Sequence, residues 1–405
     1  MNPPTFISLT RSLAACAVIA AAAGCGISKP YVRPELAARA AGAVPPESVH
    51  TSLFLIGDAG RPSNEYREPT YIALEQLASV HPERNLVVFL GDNIYPSGLA
   101  QRGDQEREQA EWILNEQISI LTNSGARGIF LPGNHDWGYY GDEGLATVKR
   151  QQEYIQNLAI PSIMFQPGDG HPGPVINDVG DHLRLIVLDT EWWLHGQREP
   201  RAGDDGCPLV PEEDSILTAL SEALEAPAER VVAVVAHHPP ETYGNHGGFF
   251  TWKDHLFPLT HLEDWLWLPL PILGSVYPLS RNLGISHQDL SGGPYRRMVQ
   301  RLDSVLARHP PLLFAAGHEH TLQVLQGKRP YAVLVSGRGA ADHDNPLTTA
   351  PSMVFGDVHP GFMRVDLLVD GRVRLGVLRA AEREGAPEEV FSCWLRRGSP
   401  ARPEQ

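Results

Sequence analysis

Five short apolar runs in this chain each end in a residue that can bind a metal ion, usually after a glycine. The runs are LFLIGDAG, VVFLGDNIY, IFLPGNHD, VVAVVAHHP and LLFAAGHEH. Apolar runs bounded by turn residues are typical of buried strands, and in open α/β sheets ligands gather at the carboxyl ends of the strands. The repetition therefore predicts parallel strands whose ends meet in one site.

Seven residues at these strand ends offer the carboxylate, phenol, amide or imidazole groups that metal ions bind. They are Asp58, Asp92, Tyr95, Asn134, His237, His318 and His320. Each motif alone is also compatible with a turn, a helix start or a buried polar pair. Their shared position after apolar runs favours a two-metal site, in which one group bridges ions ~3.5–4 Å apart. The glycines that precede four of the seven would let the backbone turn sharply.

Segments with helical spacing alternate with the strand-like runs, which indicates an α/β fold. Near the end of the chain, the apolar runs 362–369 and 372–378 flank Asp370-Gly371 and predict an antiparallel hairpin. We therefore expect residues 51–395 to form one domain, a four-layer αββα sandwich of two mixed β-sheets flanked by helices.

The amino terminus has the features of an export signal. A short head precedes an apolar run over residues 13–23, which is too short for a membrane-spanning helix of ~20 residues. Ala-Ala-Gly-Cys at residues 22–25 resembles the bacterial lipobox, so we expect residues 1–24 to be a signal peptide and Cys25 to carry lipid. Cleavage at an ordinary Ala-x-Ala site is the alternative. The predicted location is the periplasm or cell envelope, with outer-membrane sorting in a Gram-negative cell because Gly26 is not aspartate.

Residues 25–50 are rich in proline and alanine without an apolar period, which predicts a flexible tether, and residues 396–405 are expected to be a disordered tail. In an oxidising compartment, Cys207 and Cys393 either pair or remain unrelated thiols. The net charge of −15 opposes binding to nucleic acid, whereas a small phosphate ester held by metal ions is compatible with it. We expect a monomer that meets the membrane only through its lipid.

Residues 249–290 fit the alternation of strands and helices poorly. They contain three tryptophans and the run WLWLPLPILGSVYPL from Trp265 to Leu279, whose prolines exclude a continuous helix. This insertion is interpreted as a lid, a partner surface, an interfacial membrane contact, or a long loop packed by its own apolar side chains.

Taken in order, the motifs GD, GD, GNHD, a histidine after a strand, and GHEH resemble those of the calcineurin-like metallophosphoesterases. GDAG and GDNIYPSG resemble most the purple acid phosphatase branch, in its short, mammalian-like, tartrate-resistant form. GDAG lacks the second ligand of the Asp-x-His block that many relatives carry. The resemblance covers about residues 52–340 and is specific at the motifs but weak between them.

The resemblance implies a role for each of the seven candidate ligands. Asp58, Tyr95 and His320 would hold a ferric ion, and Asn134, His237 and His318 a divalent ion, Fe²⁺, Zn²⁺ or Mn²⁺. Asp92 would bridge the two ions. His237 fits the Val-x-x-His spacing of the family, so His238 would lie behind it.

Three further residues receive roles from the same resemblance. His135 would stay off the metal ions and protonate the departing alkoxide, and Asp136 would orient it. His246, in Asn-His-Gly after the His237 loop, would contact substrate, with an ordinary loop histidine as the alternative.

The expected reaction is hydrolysis of phosphate monoesters by attack of a metal-bound hydroxide, with an acid optimum and a visible band from phenolate bound to ferric iron. Two other functions stay open. One is a membrane-proximal phosphodiesterase or phospholipase, suggested by residues 265–279, and the other is a non-catalytic binding module of the cell envelope.

Overall fold

A computed structural model describes residues 26–37, 40–195, 213–226, 230–261, 265–340, 345–380 and 387–396. The expected signal peptide, Cys25, Cys207 and residues 397–405 lie outside these ranges. The lipid anchor and the pairing of Cys207 with Cys393 therefore stay predictions.

The described residues contain fifteen strands. They are β1 (Tyr31–Val32), β2 (Val49–Ile56), β3 (Asn85–Phe89), β4 (Arg127–Phe130), β5 (Ile163–Phe165), β6 (Val175–Val179), β7 (Leu183–Val187), β8 (Val231–Val235), β9 (Leu313–Ala316), β10 (Leu322–Leu325), β11 (Ala332–Ser336), β12 (Met353–Asp357), β13 (Gly361–Leu368), β14 (Val373–Arg379) and β15 (Glu388–Arg396).

The same residues contain nine α-helical segments, several of only one turn. They are α1 (Pro34–Ala37), α2 (Pro69–Ala78), α3 (Arg107–Ser124), α4 (Gly144–Asn157), α5 (Glu191–Leu194), α6 (Glu213–Leu224), α7 (Trp252–Leu256), α8 (Val276–Asn282) and α9 (Gly293–Leu306). Short 3-10 turns occur at Pro46–Ser48, Pro82–Arg84, Pro258–His261 and Leu273–Ser275. Within the described ranges, none of the helices is both long and apolar enough to cross a membrane.

The strands form two mixed sheets. A seven-stranded sheet has the order β15-β14-β13-β2-β3-β4-β5, and an eight-stranded sheet has the order β1-β12-β10-β11-β9-β8-β7-β6. β2 to β5 run parallel to one another, as do β7, β8, β9 and β11. The expected hairpin is present as β13 and β14, with Gly371 in the left-handed region at φ +81°.

The parallel strands of both sheets are largely buried on both faces, which explains why most of their residues are apolar and do not alternate with polar ones. In β2, Leu53 and Leu55 face the other sheet, whereas Phe54 and Ile56 face the helices α2 and α3. The outer face of the second sheet is covered in the same way by α6 and α9. The four-layer αββα fold is thereby confirmed.

The expectation of a flexible tether over residues 25–50 is corrected for the described part of that segment. β1 pairs with β12, with Tyr31 opposite Gly356, and the Arg33 side chain donates to the Met353 carbonyl at 3.0 Å. The buried Arg374 guanidinium donates to the carbonyls of Ala41 and Gly42. Hydrogen bonds to an edge strand and to the Arg374 side chain hold this segment, and its composition gives no sign of them. Similarly, Arg396, expected in the tail, ends β15.

Candidate metal centre

The carboxyl ends of the parallel strands carry all seven candidate ligands. Asp58 follows β2, Asp92 and Tyr95 follow β3, Asn134 follows β4, His237 follows β8, and His318 and His320 follow β9. Their donor atoms form two adjoining groups, cluster 1 (Asp58, Asp92, Tyr95 and His320) and cluster 2 (Asp92, Asn134, His237 and His318).

Cluster 1 converges on the phenol oxygen of Tyr95. This Oη lies 3.2 Å from Asp58 Oδ1, 3.0 Å from Asp92 Oδ2 and 2.9 Å from His320 Nε2. His320 Nε2 also lies 3.3 Å from Asp58 Oδ1. Two buried carboxylates, a phenol and an imidazole thus point at one another, an arrangement that a cation would stabilise.

Cluster 2 converges on the amide oxygen of Asn134. Its Oδ1 lies 3.0 Å from His237 Nε2 and 3.1 Å from His318 Nδ1. His237 Nε2 is also 3.4 Å from Asp92 Oδ1. Asp92 therefore turns one carboxylate oxygen to each cluster, Oδ2 to cluster 1 and Oδ1 to cluster 2.

Hydrogen bonds behind the imidazoles of cluster 2 orient their free nitrogens. His237 Nδ1 donates to the Leu90 carbonyl at 2.8 Å, and His318 Nε2 donates to the Gln288 carbonyl at 2.8 Å. Each bond leaves the lone pair of the other ring nitrogen facing the cluster, as metal-binding histidines require. The residues present therefore fit a pair of metal ions.

His238 also lies within 4.8 Å of His237 and His318, but its ring nitrogens have other partners. Its Nδ1 lies 2.8 Å from Thr190 Oγ1, and its Nε2 lies 2.8 Å from Gln288 Oε1. These side-chain bonds occupy both nitrogens, so His238 supports the site instead of pointing into it.

Charges inside the centre shift two of its pKa values in opposite directions. Burial alone would raise the pKa of Asp92, yet His237 and His135 hold it well below its ordinary range. Burial alone would lower the pKa of His237, yet the charge and hydrogen bond of Asp92 raise it to about 10. A metal ion bound at Nε2 of His237 would take the place of the proton on that nitrogen.

The backbone of the site is strained at the ligands themselves. Asp58, Asp92 and His318 have φ values of 54°, 55° and 68°, a conformation that costs roughly 1–3 kcal/mol per residue and is concentrated at functional sites. The preceding glycines were expected to provide the sharp turn, but only Gly91 has a positive φ among them. Their main role is close approach, since a Cβ at Gly133 would lie 2.2 Å from Asp92 Oδ1.

His135 lies against cluster 1 without joining it. Its ring packs between Tyr95 and Tyr139, with centroid distances of 4.2 and 4.4 Å, and its Nε2 is 3.9 Å from Asp92 Oδ2. The Nδ1–H group donates to the Pro96 carbonyl, which leaves Nε2 as the nitrogen that can exchange a proton. Burial lowers the pKa of His135, and the charge of Asp92 offsets this only in part.

The expectation that Asp136 orients His135 is corrected. Both carboxylate oxygens of Asp136 accept bonds from Asn93, and Oδ2 also accepts the Gly133 N–H at 2.8 Å. Asp136 therefore ties the turn after β3 to the turn after β4, while the Pro96 carbonyl orients His135. Burial, followed by repulsion from Asp92, raises the pKa of Asp136 to about 7.

His246 lies beside cluster 2, with its ring centroid 4.0 Å from that of His318. Its Nδ1 is 2.9 Å from both the Gln288 carbonyl and Asp289 Oδ1. Asp289 is in turn paired with Arg281 of α8. The structure thus brings His246 to the metal centre and holds it there from the insertion.

The residues of the insertion that contact the site were not predicted from the sequence. Gln288 contacts His318 through its carbonyl, His238 through Oε1, and the buried Glu191 through Nε2 at 2.9 Å. No motif marks Gln288, Asp289 or Arg281. For Glu191 a weak signal existed, because the apolar run of β7 ends just before it.

Comparisons with known proteins agree with this fold. The model of the calcineurin-like phosphoesterase family matches residues 52–322. No curated protein matches the chain significantly in sequence.

Two similar structures each cover 85% of the chain with a TM-score of 0.52. One is GAP50, the anchor in the inner membrane complex of Plasmodium, at 13% identity over 89% of its length. The other is the purple acid phosphatase PPD1 from yellow lupin, Lupinus luteus, at 12% identity. This chain covers about half of PPD1, 53%.

The fold and the two donor clusters define a metal-dependent phosphoesterase, an enzyme of the hydrolase class. The chain belongs to the calcineurin-like phosphoesterase family, whose members use a binuclear metal centre.

Proposed function

We propose that this protein is a phosphatase that hydrolyses phosphate monoesters at a centre of Fe³⁺ and a divalent ion, Fe²⁺, Zn²⁺ or Mn²⁺. The observation that carries the proposal is the position of Tyr95 Oη, 3.0 Å from Asp92 Oδ2 and 2.9 Å from His320 Nε2. A phenol among carboxylates and imidazole favours a ferric ion in cluster 1. The likeness to a purple acid phosphatase fold supports the same branch.

The residues of the chain divide the work of the reaction. The metal ions, when bound, supply an activated water and neutralise the phosphoryl oxygens. Asp92 joins the two clusters by turning one carboxylate oxygen to each. Hydrogen bonds to the Leu90 and Gln288 carbonyls keep the free nitrogens of His237 and His318 directed at cluster 2. His135 holds a proton at Nε2 for the leaving alkoxide, with Nδ1 fixed by Pro96.

His246 forms the other side of the substrate site in this proposal. Its Nδ1 is engaged by Asp289 and Gln288, so its remaining nitrogen is available to a phosphoryl oxygen. Asp136 acts only by holding the turns that carry Asp92 and Asn134. We further propose that the protein is exported and anchored through a lipid on Cys25 in the cell envelope.

The monoesterase is tested by comparing turnover of p-nitrophenyl phosphate with that of bis(p-nitrophenyl) phosphate, two esters with the same chromophore. We expect the higher kcat/KM for the monoester. A strong preference for the diester would reject the monoesterase and support a membrane-proximal phosphodiesterase, which the contact of the insertion with His246 and His318 also favours.

A non-catalytic module is the remaining alternative, since GAP50, which has a similar fold, is named as an anchor. The full set of donors in both clusters argues against it, because a scaffold has no physical need for them. If the protein binds no metal and hydrolyses neither ester after expression with iron, zinc and manganese, the enzymatic proposal is rejected.

Substitution of His135 tests its role as the acid. We expect His135→Asn to slow hydrolysis of alkyl phosphates by ~10²–10⁴, because their leaving groups need a proton, and to affect p-nitrophenyl phosphate much less. The measurement is kcat over a series of esters with leaving groups of different pKa. His246→Asn is the comparison and should slow all esters to a similar extent. Equal losses on every ester for His135→Asn would contradict the assignment.

A further inference from the structure

The insertion exposes a concentration of large apolar side chains to solvent. Of the sixteen exposed large apolar residues in the described ranges, ten lie within residues 249–290. The ten are Trp252, Trp265, Trp267, Leu268, Ile272, Leu273, Val276, Leu279, Leu283 and Ile285. We call them the apolar face. Contiguous exposed apolar surface of this kind marks a site of contact with another molecule or with a membrane.

The helix α8 shows that this exposure follows a pattern. Val276, Leu279 and, directly after the last helical residue, Leu283 are spaced to lie on one side of the helix, and their exposed fractions are 61%, 54% and 79%. On the other side, Pro278 is buried and Arg281 pairs with Asp289. A surface helix of a globular protein normally turns its apolar stripe towards the core, whereas α8 turns it outwards.

The tryptophans adjoin this stripe. Phe257 contacts Trp252 and Trp267 through its ring, with centroid distances of 6.4 and 5.3 Å. The Leu270 N–H donates to the Leu256 carbonyl at 2.8 Å, which holds the tryptophan-rich segment against α7. Because α7 packs against α8, the tryptophan-rich segment adjoins the apolar stripe of α8.

The amino-terminal end of the described chain lies at the same insertion. A Cβ on Gly26 would be 3.6 Å from Thr251 Cγ2 and 3.7 Å from Phe249 Cε1, and the Ile27 N–H donates to the Leu347 carbonyl at 2.7 Å. Gly26 directly follows Cys25, the residue that the sequence predicts to carry lipid. The chain therefore reaches the domain beside the apolar face.

We propose that the apolar face docks on the surface of a lipid bilayer, which replaces the expectation that the lipid is the only membrane contact. Tryptophan is enriched at the boundary between headgroups and acyl chains, and an apolar stripe on a short helix can lie in that boundary without crossing it. The net charge of −15 offers no overall electrostatic attraction to anionic lipid, so we expect the apolar side chains to supply the affinity. Docking does not depend on the proposed hydrolysis.

The same element links the bilayer contact to the metal centre. The inward side of α8 presents Arg281 to Asp289, which contacts His246, and Gln288 contacts His318. A protein docked through α8 would therefore hold its centre on the membrane-facing side of the domain. Loss of hydrolysis and loss of docking are separate results, because one is measured on a soluble ester and the other on vesicles.

The test is co-sedimentation with vesicles of phosphatidylcholine and with vesicles of phosphatidylethanolamine and phosphatidylglycerol. The chain starts at Gly26, because residues 13–23 would themselves bind lipid, and this chain retains every described strand. We expect binding to both vesicles that changes little with salt. The variant Trp265→Ser, Ile272→Asn, Leu283→Ser should bind more than about tenfold more weakly. All three side chains are more than two thirds exposed, and at the φ of 72° of residue 272 the β-branched isoleucine is itself an outlier.

The matched control replaces three exposed apolar residues elsewhere, Val80→Ser, Ile176→Ser and Val369→Ser, and should bind as the unaltered chain does. Both variants should give the far-UV circular dichroism spectrum and the cooperative thermal unfolding of the unaltered chain, which reports that they fold whether or not the protein hydrolyses an ester. If the triple variant does not fold, the single variant Trp265→Ser takes its place in the test. The proposal is overturned if the unaltered chain binds neither vesicle, or if the first variant binds as well as the control. It is also overturned if light scattering shows a dimer that the first variant dissociates, with no vesicle binding, because a second copy would then cover the apolar face.

Discussion

Replacing Asp92 by asparagine should remove one metal ion and nearly all hydrolysis. Asp92 is the residue whose two carboxylate oxygens face different clusters, Oδ2 towards Tyr95 at 3.0 Å and Oδ1 towards His237 at 3.4 Å. An amide has one acceptor oxygen and cannot serve both. We expect kcat to fall on the order of 10³-fold, as when a group that stabilises transition-state charge is removed.

The structure also indicates which cluster Asp92→Asn should impair. The backbone N–H of His135 donates to Asp92 Oδ1 at 2.9 Å, so the oxygen of an asparagine would keep that position. The amide NH₂ group would then face Tyr95 and His320 and repel a cation there. Cluster 2 should retain its ion, and cluster 1 should lose its own. Asparagine also tolerates the φ of 55° at this position, so the turn should persist.

Metal content per chain and kcat on p-nitrophenyl phosphate are the two measurements. The matched control is Asp366→Asn, which alters an equally buried carboxylate in the same sheet that bonds Ser52 and Arg364. The Asp366→Asn variant should have a lower free energy of unfolding but should keep both metal ions and the activity. If Asp92→Asn retained two ions and normal turnover, Asp92 would not be the bridge.

The site was predictable to the extent that its residues follow strands. Parallel strands bring their carboxyl ends to one edge, so the placement of Asp58, Asp92 and His318 after apolar runs was sufficient to bring them together. The αββα layers follow from the same runs, because an apolar strand without alternation must be covered on both faces.

Contacts between distant segments were not predictable from local pattern. The pairing of β1 with β12 joins residues more than three hundred positions apart, and Pro- and Ala-rich composition gives no sign of it. Gln288 reaches His318 through a backbone carbonyl, which every residue type possesses. Asp136 was assigned to His135 on the family resemblance, but a tight turn directs successive side chains to different partners.

Replacing Tyr95 by phenylalanine should remove the visible absorption of the iron-loaded protein. Phenolate bound to ferric iron absorbs visible light by charge transfer, and Tyr95 supplies the phenol oxygen of cluster 1, 2.9 Å from His320 Nε2. Phenylalanine keeps the ring that packs on His135 at 4.2 Å and lies 5.0 Å from the Arg61 guanidinium. The substitution therefore removes one donor atom and leaves the packing in place.

The absorption spectrum and iron content of both proteins decide the assignment. Tyr139→Phe is the control, because its ring also stacks on His135 but Tyr139 belongs to neither cluster, and it should retain the band. Asp58, Asp92 and His320 remain in Tyr95→Phe, so a metal ion can still bind cluster 1, and phosphoesterase activity should fall without disappearing. A colourless unaltered protein with two ions bound would reject iron-tyrosinate at this site and leave the binuclear phosphoesterase intact, because only the identity of the ion in cluster 1 rests on the phenol.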